Sequence, residues 1–557
     1  MTNRNASSTP FVWAAFFSLL VAYIGAAVLS PKLTPLFFGK SITSLTISPV
    51  PSDNPAAKSS EIWLAKSSQQ VTADPQKWLD KGDKFVSTGD PSSPLTVTFQ
   101  PGELKPIVIT RSAWSGAAKI TVGGQSTTYD LYSANDSPVT IRLEDLLIGS
   151  RSTRAIWGWS IMAALFLGSF CILTAIFRRG WVISAVAGHA FESKNIAYSS
   201  RLDHLRFIAA ALVIYYHSHT DAFGLGRSTY NPLRAFVEQG HTGVALFMVL
   251  SGYLLTSIGW GRHLNYFEFM RNRVLRIYPL YLLCVIFMLT GWKDRYTFEQ
   301  ALSLFFPFVN SLAHVDLPAF GHLWTIAVEL QFYLLFPFLL LFATKYGVKY
   351  LLGILAIFIF FKYAYWTWNG TVTNAAYLTL LGRMDQFLIG MMLAIFAKHF
   401  IKPGFTLSPL YLAASLVFLG GVMSWFGGNG GMVGSLGNSI FMVFWPATEA
   451  IAWGALIVTY AHAALRLPSW YDSPLARLGQ LSFSIYCLHY VVIGVTKNIW
   501  APTGLYQGSL SDLLVHVTML TVPAVVLVCM FTYGLVEAPF LQLRKKYTDS
   551  AEKAAVA

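Results

Sequence analysis

Apolar residues along this chain gather into blocks near the length of a membrane-spanning helix, separated by short polar loops. Twelve blocks predict about twelve transmembrane helices: Phe11–Leu29, Ala155–Phe177, Arg206–His219, Thr242–Trp260, Ile277–Gly291, His322–Phe342, Leu351–Trp366, Tyr377–Phe396, Leu410–Phe426, Ile440–Ala463, Leu481–Ile499 and Leu513–Leu535. The shorter run Ala301–Leu312, broken by Pro307, reads as a surface or re-entrant segment. Between the first two blocks the period changes to two. LTVTF from Leu95, PIVIT from Pro106, KITV from Lys119, TTYDLY from Thr127 and VTIRL from Val139 alternate between Gly, Pro, Ser and Asp, which predicts hairpins of a small β-domain.

These patterns divide the chain into an N-terminal anchor (1–30), an extracytoplasmic β-rich domain (31–154), a second transmembrane helix (155–178), a cytoplasmic linker (179–200), a helical membrane domain of ten spans (201–540) and a cytoplasmic tail (541–557). The fold class is an all-α polytopic membrane protein with a small β-rich extracytoplasmic domain. A cleavable signal peptide competes for the first block, but the apolar run exceeds the usual length of one.

Composition supports this reading. Only 12% of the 557 residues are charged and 54% are hydrophobic, whereas a soluble protein carries about 25% charge. The net charge of +13 could suggest nucleic acid as a partner. The basic residues instead cluster at the ends of apolar blocks, on loops that alternate: Arg262/Arg271/Arg273/Arg276, Lys345/Lys349, Lys398/Lys402, Arg466/Arg477 and Arg544/Lys545/Lys546. That is the positive-inside pattern; it excludes nucleic acid and predicts both termini in the cytoplasm, with 31–154 outside. Cys171, Cys284, Cys487 and Cys529 all lie in apolar blocks, with no spacing for zinc, so no metal is expected.

The candidate chemistry lies in the helical half. Arg206 and His217 are eleven positions apart, so on a helix they return to nearly one face, about 16 Å apart along the axis. Ionisable groups inside apolar spans are costly and usually functional. Asp203, one turn before Arg206, is placed to orient the guanidinium, and Ala209 and Ala210 leave room beside the helix or allow a neighbour to pack closely. His219 lies on another face. In RNRVLRIYPLY, Arg271, Arg273 and Arg276 suit a phosphorylated ligand or simple anchoring. Glu329, two turns into an apolar helix, is either a partner for a buried arginine or a catalytic carboxylate. His322, Arg383, Glu449 and His489 share that ambiguity.

The segments RLDHLRFIAAALVIYYH, GVALFMVLSGYLL, RNRVLRIYPLY, HLWTIAVELQFYLLFP, RMDQFLIG, LSFSIYCLHY and VEAPF, in this order from about Arg201 to Phe540, resemble the acyltransferase-3 family of bacterial membrane acyltransferases. The resemblance implies an O-acyltransferase of the bacterial inner membrane. It would move an acyl group, usually acetyl, from cytoplasmic acyl-CoA to a hydroxyl of an extracytoplasmic glycan. Acyl-CoA is then a substrate and no permanent cofactor is expected. The resemblance puts catalysis on Arg206, His217 and Glu329, with His217 as general base, and donor binding on Arg273 and Arg276 with Arg271 beside them. The family's second glutamate is Leu330 here, so a role needing two carboxylates is not carried over. A glycan or lipid-linked-sugar exporter is the alternative; transporters often show paired internal repeats, and none is visible. The acceptor and the oligomeric state are not legible.

Overall fold

The computed structural model describes residues 13–26, most of 44–141, 151–178 and most of 198–548. Residues 1–12, 27–43, 142–150, 179–197, 225–228, 292–295, 307–320, 498–509 and 549–557 and a few short loops lie outside the described residues. The chain divides into a β unit within 22–165 (with 499–507) and a helical unit that includes 166–498 and 508–557.

The β unit holds ten short strands: β1 Ser44–Val50, β2 Trp63–Ala65, β3 Gln70–Thr72, β4 Trp78–Asp80, β5 Lys84–Ser87, β6 Leu95–Thr98, β7 Ile107–Arg111, β8 Ala117–Val122, β9 Gln125–Asp130 and β10 Ser137–Ile141. They form two five-stranded sheets, ordered β3-β6-β1-β8-β9 and β10-β7-β2-β5-β4. Every strand pair is antiparallel, for example Ile47 opposite Leu95 and Ile120, and Leu64 opposite Ile109. Alternate residues point inward, and Ile47, Leu95 and Ile120 of one sheet share a core with Leu64, Ile107 and Ile109 of the other. The five alternating runs in the sequence are β6 to β10. Among the earlier strands, β2, β3 and β4 are three residues each and too short to show a period, whereas β1 alternates over seven residues and was not read from the sequence.

The helices are α1 Trp13–Ala26, α2 Arg151–Arg178, α3 Ser200–Phe223, α4 Pro232–Glu238, α5 Thr242–Gly259, α6 Tyr266–Gly291, α7 Phe298–Ser303, α8 Trp324–Tyr346, α9 Val348–Asn369, α10 Thr373–Leu378, α11 Leu380–Phe400, α12 Pro409–Gly428, α13 Phe441–His462, α14 Ser469–Gln480, α15 Ser482–Thr496 and α16 Leu510–Gln542. Among the described residues, eight helices are long and apolar enough to cross a membrane: α5, α6, α8 (counted from Gly321), α9, α11, α12, α13 and α16. The pair α14–α15, bent by 72°, makes a ninth if it counts as one span. The other three predicted segments are also helical. The apolar parts of α1 and α2, Trp13–Ala26 and Ser160–Ile172, are shorter, and α3 carries too many polar residues to rank with the eight. Of the predicted surface segment, α7 covers the start and 307–320 lie outside the described residues; so does most of the linker.

Small residues bring the central helices together. A Cβ on Gly243 would meet the Ala209 carbonyl oxygen at 2.3 Å, so α5 crosses α3 backbone to backbone. Gly252 and Gly390 do the same between α5 and α11. The basic loops have structural roles as well as charge. Arg201 donates to the carbonyls of Tyr460 (3.0 Å), Ala463 (2.7 Å) and Leu465 (2.8 Å), satisfying acceptors at the end of α13. The beginning of the expected tail is not free. The Asn272 side chain bonds the backbone of Lys545 in both directions, the Asn265 amide donates to the Tyr547 carbonyl, and Tyr547 is buried against Phe269.

Candidate active site

The helix predicted to carry the first pair is α3, with Arg206 near its start and His217 near its end. Asp203 accepts from Arg206 Nη1 at 2.7 Å, as the one-turn spacing suggested. Arg206 lines a cleft of about 910 Å³, open mouth included, together with Arg273 and Arg276 of α6 and Glu329 of α8. Four candidate residues from three helices thus share one cavity. Glu329 accepts from Ser251 of α5 at 3.1 Å and from the Tyr333 hydroxyl. Arg273 lies over the rings of Phe269, Tyr333 and Tyr547 at 5.3–5.9 Å, and its Nε has no hydrogen-bond partner among the described residues. Arg276 forms no hydrogen bond or ion pair with a described residue.

Arg271 does not join them. Two positions from Arg273, it turns about 200° away, stands exposed and pairs with Glu268 at 3.3 Å. A different arginine takes its place near the cluster. Burial, followed by the charges of Arg276 and Arg273, pushes Arg544 down to about 10. It stays a cation at neutral pH, and the shift reports positive charge crowded at this end of the helical unit. Sequence reading had assigned Arg544 to topology alone, since its approach depends on the docking of 544–548 onto α6.

The cleft is long and lined by polar and apolar groups in nearly equal measure. Tyr333 and Thr325, eight residues apart on α8, mark about 12 Å of its length. At the end away from the arginines, Thr325 donates to the Tyr486 hydroxyl at 2.7 Å, and that hydroxyl donates to the His322 carbonyl at 2.8 Å. Behind Tyr486 lies a group of three imidazoles. His322 packs on Tyr486 at 5.2 Å and on His489 at 4.7 Å, and His489 stacks on His217 at 5.0 Å. His217 Nδ1 and His489 Nε2 are 2.8 Å apart. His217 therefore stands beyond the far end of the cleft, partly accessible, with His322 and His489 from two other helical segments. Among the described residues no group of His, Cys, Asp and Glu is arranged to hold a metal.

Arg383 and Glu449 lie elsewhere. Both are fully buried and 3.8 Å apart, joined through Gln386, with the Arg383 guanidinium 3.9 Å from the Tyr377 ring. Lys362 pairs with Asp385 at 2.5 Å in the same region. These groups link α9, α11 and α13, although Arg383 Nη2 and Glu449 Oε1 are buried without a hydrogen-bond partner among the described residues. His219 is also buried, 3.9 Å from Glu238.

A family described as the acyltransferase domain matches residues 199–534, well over half of the chain. The chain belongs to the acyltransferase-3 family. Among its relatives, O-acetyltransferase OatA of Staphylococcus aureus is 23% identical over 403 residues, which cover 64% of this chain and 59% of OatA. The putative membrane-bound transacylase BcsY of Komagataeibacter xylinus is 24% identical over 325 residues, 54% of this chain and 74% of BcsY. A putative O-acetyltransferase, SAS0844 of S. aureus, is 22% identical over 62% of this chain and 58% of its own length. This chain thus spans under two thirds of the first relative's length. No solved structure matches it significantly. The acyltransferase domain coincides with the helical unit from α3 into α16 and holds every residue of the arginine-lined cleft and the imidazole group; Arg544 and the β unit fall outside it.

Proposed function

We propose that this protein is a membrane O-acyltransferase that moves an acetyl group from acyl-CoA in the cytoplasm to a hydroxyl of an extracytoplasmic glycan. The observation that carries the reading is the single cleft with three arginines at one end and the imidazole group beyond the other. Acyl-CoA has that shape chemically: phosphates at one end, a long arm, and a thioester at the tip. Arg273, Arg276 and Arg206 would take the phosphates through charge-assisted hydrogen bonds. The arm would run between α5 and α8, past Glu329, and bring the thioester toward His217. The basic loops support an arginine end facing the cytoplasm and a far end of α3 facing outward.

In the reaction His217 takes the proton of the acceptor hydroxyl as its oxygen attacks the thioester carbonyl carbon. The carbon–sulfur bond then breaks, and the CoA thiolate receives that proton from the imidazole. The names of the relatives favour acetyl as the acyl group and oxygen as the acceptor atom. Family membership favours transfer over export. Protein in liposomes, given acetyl-CoA and glycan isolated from cells lacking the gene, should release CoA and label the glycan. His217→Ala should abolish both while still entering the bilayer. Full activity in that variant would end the proposal for His217, and movement of unmodified glycan without CoA release would decide for an exporter.

A further inference from the structure

We infer that His489 is a positioning residue that fixes the proton of His217 on Nδ1 and so leaves Nε2 as the lone pair that receives the acceptor proton. The inference rests on the reaction proposed above for its catalytic consequence, but its structural core does not. His489 Nδ1 lies 2.7 Å from the Tyr486 carbonyl and 3.2 Å from the Ile485 carbonyl. A carbonyl oxygen only accepts, so His489 Nδ1 must carry a hydrogen. A neutral imidazole has one hydrogen, which makes Nε2 of His489 an acceptor. Its partner at 2.8 Å is His217 Nδ1, and that contact is a hydrogen bond only if Nδ1 of His217 donates. A doubly protonated His489 would reverse the direction. It would be a fully buried cation with no ion pair to any described carboxylate, a costly arrangement in this setting.

Nε2 of His217 forms no hydrogen bond with a described residue. The tautomer is thus dictated through two links by the backbone of α15, by the rule that one ring nitrogen's bond decides the state of the other. As His217 takes a proton at Nε2, its Nδ1–H bond to His489 becomes charge-assisted and strengthens. His489 would then hold the ring's orientation and favour the imidazolium as it forms, without touching substrate. The sequence singled out His489 as a buried polar residue but offered no partner, because 272 residues separate it from His217.

The test is nitrogen-15 NMR of the full-length protein labelled at its twelve histidines, with His217→Gln used to identify the His217 signals. Wild type should show a protonated, pyrrole-type Nδ1 and an unprotonated, pyridine-type Nε2 at His217. His489→Phe removes the acceptor and should move the proton to Nε2, whereas His489→Gln keeps an accepting oxygen and should retain Nδ1–H. In the CoA-release assay His489→Phe should lower kcat by about tenfold or more with KM for acetyl-CoA unchanged. A protonated Nε2 in wild type overturns the inference even if no variant folds. The same tautomer in wild type and His489→Phe, or a Gln variant that behaves as Phe does, also overturns it. If wild type shows the expected tautomer but never releases CoA, the proposed reaction fails and the positioning stands.

Discussion

Arg276→Gln is the cleanest probe of the donor end, because Arg276 forms no hydrogen bond or ion pair with a described residue in the free protein. Its attraction to the buried Glu537 is opposed by its repulsion from Arg544. Arg206 holds Asp203, a buried carboxylate, so its removal leaves that group unpaired. Arg273 lies among three rings, so its removal also disturbs packing. Arg276 lines the cleft yet bonds no described residue, and only partial exposure limits its contact with water. Its substitution should change folding stability by no more than about 0.5 kcal/mol, the range of a residue without special contacts. A hydrogen bond to a charged group contributes about 1.5–3 kcal/mol. The cleft mouth is open to salt, which places the expected loss near the lower figure, or roughly tenfold in affinity. The assay is steady-state CoA release from acetyl-CoA by protein in liposomes, with a thermal unfolding scan of the same sample. KM for acetyl-CoA should rise about tenfold with kcat largely kept, and the effect should shrink as ionic strength rises. An unchanged KM with an unchanged unfolding curve would refute the placement of phosphate at these arginines.

Two further outcomes test the scaffold. Gly243→Ala puts a methyl group 2.3 Å from the Ala209 carbonyl oxygen, a backbone atom that yields only if α3 moves from α5. It should cost about 1–3 kcal/mol, seen as a lower unfolding midpoint in detergent, and the shift of α3 should lower activity; a midpoint at or above wild type would show that the two helices separate freely. Tyr547→Ala removes a buried ring beside Arg273 and the anchor of the 544–548 segment. Faster hydrogen exchange at Lys545 and a higher KM for acetyl-CoA should follow, and unchanged exchange there would mean that the Asn272 bonds alone hold the segment.

The helices of this protein were legible because each depends on its own residues. A block such as Thr242–Trp260 is apolar enough to need burial, and its backbone can satisfy itself only as a helix in that environment. The strands from Leu95 onward showed through for a similar local reason, while three-residue strands carry too few positions to display a period. The Arg206–Asp203 pair and the shared line of Arg206 and His217 were also local, being fixed by 3.6 residues per turn along one helix.

What no local rule could supply is which groups meet across helices. Glu329 was ambiguous between an arginine's partner and a site residue until Ser251 and Tyr333 were seen to hold it in the same cleft as Arg273. Arg383 and Glu449 looked equivalent to it in sequence, yet they close on each other. Arg271 and Arg544 exchanged places as neighbours of the cluster, the first by helical phase and the second by the docking of a distant segment. By itself the sequence determined the apolar helices, the basic ends and the line on which Arg206 and His217 stand, because those follow from solvation and from the pitch of one helix. Only the tertiary structure decided that His217 faces His489 rather than a carboxylate, the contact from which a proton on Nδ1 is inferred. The carbonyls of Ile485 and Tyr486 reach His489 through the pitch of α15 itself, and it is the packing of α15 against α3 that brings His489 Nε2 to His217 Nδ1.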